Sequence, residues 1–258
     1  MAGFRIYGAG AVLLGAVCLI FRDFALQWQP VPRGWAGREA IALLSAAGFV
    51  ATGLAIQARR LRGIAAAALA AMFGLWIVLH TRAVMDAPAD FGAWNGVAES
   101  LALALAGAAL WLPTAGARSA GGLAVRAFGL CPLVFGTAHF AYADFTASMV
   151  PAWIPPDQHF WAYATGVCHL AAGLAIISGV WARLASRLLG MMFAGFVLLL
   201  HVPRILADPN SQLEWTMTAV ALCLTGAAWS VADQIAARAP SATSFAFRFG
   251  GKAAKPNG

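Results

Sequence analysis

Ionisable side chains set inside long apolar runs are few in this chain, and they carry what chemistry it has. His139, His169 and His201 lie in three successive apolar runs of the C-terminal half, with Asp144 and Arg204 near the ends of the first and third. The N-terminal half supplies His80, Arg82, Glu99 and Glu39. Polar groups at bilayer depth are costly and are functional candidates by default. Imidazole has three uses in such a setting. It can ligate a metal or a b-type haem between facing helices. It can bond a carbonyl in a quinone or small-molecule pocket, with a nearby Arg or Asp tuning its proton affinity. It can also bond neighbouring backbone and hold helices together, which contributes about 1 kcal/mol per bond. No HxxxH or ExxH pair falls on one helix, so haem and metal rank below a quinone and no metal site is assigned. The four cysteines, Cys18, Cys131, Cys168 and Cys223, form no CxxC pair and read as buried structural thiols.

The elements that hold these groups must be membrane helices. Of the 258 residues, 61% are hydrophobic and 10% charged, against about 25% charged in soluble domains. So apolar a chain has too little polar surface to cover a water-soluble fold, which excludes soluble enzymes and disordered or fibrous proteins. The net charge of +7 is spread between apolar runs and gathers on no face, so nucleic acid is not an expected partner; the partner is the lipid bilayer. Arg5 ahead of the run from Ile6 to Phe21 resembles a signal peptide, but no A-x-A site follows, and a retained first helix is expected.

The chain matches itself at an offset of 120 to 122 residues. Arg5, Gly8 and Gly15 fall on Arg126, Gly129 and Gly136, and Asp23-Phe24 falls on Asp144-Phe145. Gly53-Leu54-Ala55-Ile56 falls on Gly173-Leu174-Ala175-Ile176, and Met72-Phe73 on Met192-Phe193. His80-x-Arg82-x3-Asp86 falls on His201-x2-Arg204-x3-Asp208, and Trp94 on Trp215. Each copy holds four apolar runs, roughly 5–22, 38–57, 64–81 and 94–112, then 123–143, 160–181, 188–203 and 213–233. Most come close to the ~20 residues that cross ~30 Å of hydrocarbon. The expected fold is an all-α membrane protein of eight transmembrane helices, arranged as two tandem four-helix bundles in a parallel internal repeat. Residues 1–115 form the first repeat, 116–122 a cytoplasmic linker, 123–237 the second repeat and 238–258 a disordered basic tail. With the N-terminus inside, 12 of the 17 basic residues lie on inner segments and nine of the ten acids toward the outer end. Both termini are therefore expected in the cytoplasm.

The copies differ where chemistry is at stake. His139 aligns with Cys18, and the His169 region with the apolar Gly48-Phe49, so a site is expected mainly in the second bundle. The repeated His-Arg-Asp motif reads as a helix stop at the headgroups somewhat more readily than as a site. The loop from Val150 to Tyr163, rich in Pro and aromatics, reads as an interfacial anchor or, less readily, a lid over that bundle.

Arg126-x2-Gly129-x6-Gly136-x2-His139-Phe140, Val150-Pro151-x-Trp153-Ile154-Pro155 and Tyr163-x-Thr165-Gly166-Val167-x-His169-Leu170-x2-Gly173 resemble the DoxX-like family of bacterial membrane proteins. The resemblance implies a four-helix unit in the bacterial inner membrane and an association with redox systems, including a subunit of thiosulfate:quinone oxidoreductase. This chain departs from the family in being doubled and in lacking the paired cysteines of some redox-linked relatives. The reading drawn is a redox-associated inner-membrane subunit with a quinone or small-molecule pocket near the outer leaflet of the second bundle and a redox protein as partner. The ligand-binding set is His139, His169, His201, Arg204 and Asp144, with His80, Arg82, Glu99 and Glu39 as secondary candidates. The alternatives are a small-molecule permease or binding protein, and a structural partner subunit without chemistry.

Overall fold

The structure is a computed structural model that describes residues 2–238, and every regular element in that range is helical. The helices are α1 (Gly3–Phe21), α2 (Arg38–Ala55), α3 (Arg62–Asp86), α4 (Phe91–Trp111), α5 (Arg118–Phe128), α6 (Leu130–Ala141), α7 (Ala143–Met149), α8 (Gln158–Ser178), α9 (Ala182–Phe196), α10 (Val202–Ala207) and α11 (Gln212–Arg238). Eight stretches are long and apolar enough to cross a membrane: α1 to α4, α5 with α6, α8, α9 through α10, and α11. They coincide with the eight apolar runs. The chain is a multi-pass membrane protein. Its backbone is helical through most of each apolar run because hydrocarbon offers no partner for an open N–H or C=O. Residues 118–122, expected as linker, join α5, and the basic tail beyond Arg238 lies outside the described residues.

Side-chain exposure separates lipid from core. Leu44, Ile64, Leu75, Leu174 and Leu188 are each more than half exposed, an apolar surface that water would not tolerate and acyl chains would. α11 is buried along most of its length, held between α1, α9 and α4. The first and last helices meet at one end of the bundle, where Gly3 lies against the backbone of Ser230. That end carries Arg59, Arg60, Arg118 and Arg238, and the opposite, far end carries the loops after α1, α3, α6 and α10.

Small residues let helices approach closely in lipid, where packing replaces the hydrophobic effect. A Cβ at Gly8 would stand 2.7 Å from the Gly53 carbonyl oxygen, and one at Gly53 would stand 2.6 Å from that of Gly8. The second half repeats the contact: Gly129 and Gly173 would place theirs 2.8 and 2.7 Å from each other's carbonyl oxygens. The repeated glycines of the sequence are therefore the crossings of α1 with α2 and of the α5–α6 span with α8.

The far end is built by caps. Asp90 accepts from Gly92 N and Asp157 from Phe160 N, both at 2.8 Å, which starts α4 and α8. Trp94, Trp161 and Trp215 each donate Nε1–H to the carbonyl of the proline six residues earlier, Pro88, Pro155 and Pro209, at 3.0, 2.8 and 2.9 Å. Asp23 pairs with Arg38, and Asp144 pairs with His159 at 3.0 Å. These two clasps occupy equivalent positions, 121 residues apart, and tie the end of one span to the start of the next.

Candidate functional site

The interiors of the two halves share a frame and differ in filling. In the first half Phe49, Phe73 and Trp76 form an aromatic cluster with ring centroids 5.0 to 5.3 Å apart. The residues 120 positions on are His169, Phe193 and Phe196, and the His169 ring lies 5.6 and 6.2 Å from the other two. His139, which stands in the place of Cys18, brings its ring to 4.7 Å from that of His169. Two imidazoles thus enter a framework that is aromatic and thiol in the first half.

The mouths differ as well. After α1 a 3₁₀ turn, Leu26–Trp28, folds inward, and Trp28 fills the far end of the first half. Trp28 Nε1–H donates to Glu99 Oε2 at 2.5 Å, and Gln29 is buried with its amide on Ser45 Oγ at 3.1 Å. In the second half the equivalent segment forms α7, and the position of Trp28 is taken by Met149. The smaller side chain leaves a cavity of about 500 Å³ at the far end. His139, Met149, Thr165, Phe196 and His201 line it, Tyr142 and Trp161 stand on it, and Asn95 enters from α4.

His139 Nδ1 lies 2.7 Å from the Phe135 carbonyl and His169 Nδ1 lies 2.9 Å from that of Thr165. A carbonyl oxygen only accepts, so each Nδ1 carries a hydrogen and each Nε2 of the neutral ring keeps its lone pair. His201 is buried on the cavity wall and its Nδ1 has no partner. Leaving such a group unmet costs roughly 1–3 kcal/mol. The turn that carries it, Val197–His201, is a π turn, with Val202 N donating to Val197 O. Its origin is legible in the spacing. Phe73 and His80 are seven residues apart in the regular helix α3, whereas Phe193 and His201 are eight apart. One added residue between two anchored positions widens one turn.

The structure brings together His139, His169 and His201: the first and last line the cavity, and His169 stands directly behind His139. Arg204 sits at the edge, with Nε donating to Glu214 Oε1 at 3.0 Å and a guanidinium nitrogen 2.7 Å from the sulfur of Met149. Glu214 is buried and its Oε2 is without a partner. Asp144 does not reach the cavity; its side chain is fully exposed and bonded to His159. Of the secondary candidates, His80 has both ring nitrogens against carbonyls, Trp76 O at 2.8 Å and Gln27 O at 3.1 Å. Glu99 is held by Trp28 and Asn95, Glu39 pairs with Arg22 at 2.6 Å, and Arg82 pairs with Asp86 at 3.6 Å on the surface. Sequence reasoning passed over Met149, Asn95, Tyr142 and Glu214. The alignment of Met149 with Trp28 was the signal for the first. The others had none, because their partners come from distant elements.

At the rim Tyr142 Oη–H donates to Asp90 Oδ1 at 2.5 Å, and Gly92 N donates to the same phenol oxygen at 3.3 Å. The clasp ties the α3–α4 loop to the end of α6. The phenol hydrogen bond, aided by the Gly92 amide, holds the Asp90 carboxyl below its ordinary range, and the carboxylate pushes the Tyr142 phenol up. Among the described residues no group of three or more His, Cys, Asp and Glu is arranged to hold a metal ion. What the far-end cavity offers a ligand is two imidazoles, His139 and His201, on a largely apolar wall.

Residues 128–232 match a family model described as a domain of unknown function, DUF8561. No curated protein and no solved structure matches the chain.

Proposed function

We propose that this protein is a DoxX-like inner-membrane subunit, built as two four-helix repeats, that binds a quinone-like ring in the far-end cavity of its second repeat. The observation that carries the reading is His201: a buried imidazole, unpartnered at Nδ1, that lines an apolar cavity of about 500 Å³. A ring oxygen there accepts from His201 Nε2–H, and His139 Nε2 receives a ligand hydroxyl. The duplication is supported by reciprocal packing. α1 lies against α11, α4 lies against α5 and α6, and α4 meets α11. The matched stretch 128–232 falls within the second repeat. The basic asymmetry of the sequence puts both termini in the cytoplasm, so the cavity opens toward the outer leaflet.

The chain's own residues bind and position the ring; the redox partner supplies or removes electrons. Solvent extraction and mass spectrometry of the purified protein test the reading, with Met149→Trp as the control that rebuilds the first half's plug. A ring-headed apolar compound retained by the wild type and lost from the variant is the expected result. Identical extracts from both overturn the reading and leave a permease or a structural subunit.

A further inference from the structure

A second cavity of about 450 Å³ runs along the exposed side of α8 and α9. On α8 its floor is small, with Ala164, Cys168, Ala171 and Ala175 on one face, and Leu184 and Leu188 of α9 form the opposite wall. Trp161 closes it at the far end and Trp181 at the other. From Trp161 to Ala175 the helical rise spans about 20 Å, most of the hydrocarbon thickness. A stripe of small residues alone would mark nothing. Here Trp161, Thr165 and Met192 also line the far-end cavity, so the two spaces meet at these three side chains. The first has His139 and His201 on its wall; the second has almost no polar wall. The two spaces therefore adjoin, one inside the protein with His139 and His201 on its wall and the other an apolar groove on the lipid side.

From this adjacency we infer that the ligand is a single-tailed amphiphile, which enters sideways from the bilayer and lays its prenyl or acyl tail in the α8–α9 groove. The inference rests on the ligand-binding reading of the far-end cavity. A water-borne metabolite would leave the groove empty. A partner helix would cover the small stripe but would not account for the far-end cavity beside it. A tail lying against Ala171 is matched by the missing volume there, and its packing contacts with the groove wall favour the tailed over the tailless ligand.

Cys168 is the natural reporter. It is exposed in the groove, whereas Cys18, Cys131 and Cys223 are buried. The full chain in lipid nanodiscs is titrated with tetramethylbenzoquinone and with its analogue carrying one decyl chain in place of a methyl. Neither ring has an open position for thiol addition. Quenching of Trp161, taken as the difference from Trp161→Phe, reads the head; the rate of Cys168 alkylation by N-ethylmaleimide reads the groove. Both quinones are expected to quench, and only the decyl compound is expected to slow alkylation, by about tenfold. Ala171→Trp, which fills the groove, should weaken the decyl compound by about tenfold and leave the tetramethyl compound unchanged. Quenching by both without protection of Cys168, equal protection by both, or a decyl affinity that survives Ala171→Trp each overturns the tail placement while the cavity reading stands. Quenching by neither overturns both.

Discussion

The imidazoles of His139 and His169 face each other at 4.7 Å across the contact of α6 with α8, where the first half of the chain holds Cys18 and Phe49. Each ring spends Nδ1 on a carbonyl one turn back, 2.7 and 2.9 Å away. That bond fixes the ring on its own helix and leaves Nε2 free for a neighbour or a ligand.

His169→Phe restores the filling found in the first half. The aromatic cluster with Phe193 and Phe196 should close around it, so thermal stability should be unchanged or higher. Ligand affinity should fall far less than in His139→Ala, because His169 stands behind His139 and does not line the cavity. A variant that fails to insert would refute the equivalence with Phe49.

Met149→Trp should close the far-end cavity with the side chain that Trp28 already provides at the equivalent place. Inserted, folded protein with no measurable quinone quenching is the expected outcome, read by circular dichroism and Trp161 fluorescence. Unchanged quenching would place the ligand elsewhere.

Gly129→Ala forces a methyl to within 2.8 Å of the Gly173 carbonyl oxygen. Overpacking at such a crossing typically costs about 1–3 kcal/mol. Unfolding in detergent titrations should show that loss for Gly129→Ala. Gly195→Ala, with open space around its Cβ, should show none of it.

The Asp90–Tyr142 clasp should hold over a defined pH window. The Asp90 carboxyl is lowered from 3.8, so its contribution is present above that value and is lost as pH falls below it. The Tyr142 phenol is raised from 10.0, so its contribution is complete below that value and is lost as pH rises through the raised one. An ultraviolet difference titration of wild type against Tyr142→Phe should show ionisation above pH 10, moving down in Asp90→Asn. An identical titration in the two backgrounds would remove the clasp from the account of the rim.

Arg204→Ala should destabilise the far end more than removal of an exposed pair such as Arg82–Asp86, because it leaves Glu214 buried without a counter-charge. Paired with Glu214→Gln, the double variant should recover most of the loss. A loss in the single variant no larger than that of Arg82→Ala would show that Glu214 does not depend on Arg204.

The eight spans, the glycines at the helix crossings and the three histidines of the second half were all legible in the sequence. Each is a local property: a run of apolar residues answers to bilayer thickness, and a glycine repeated at the offset of its helix marks the same crossing twice. Even the π turn before His201 was written in a spacing of eight where the first half has seven. The cavity was not legible. It exists because Met149 is smaller than Trp28 and because α7 does not fold inward as the Leu26–Trp28 turn does, and a void is the sum of side chains from six helices. Nor did the sequence reveal that Asp144 turns outward to His159 while Arg204 turns to Glu214. Which of several nearby carboxylates meets a cation is decided by where the helix ends stand in space, and only the tertiary structure places them.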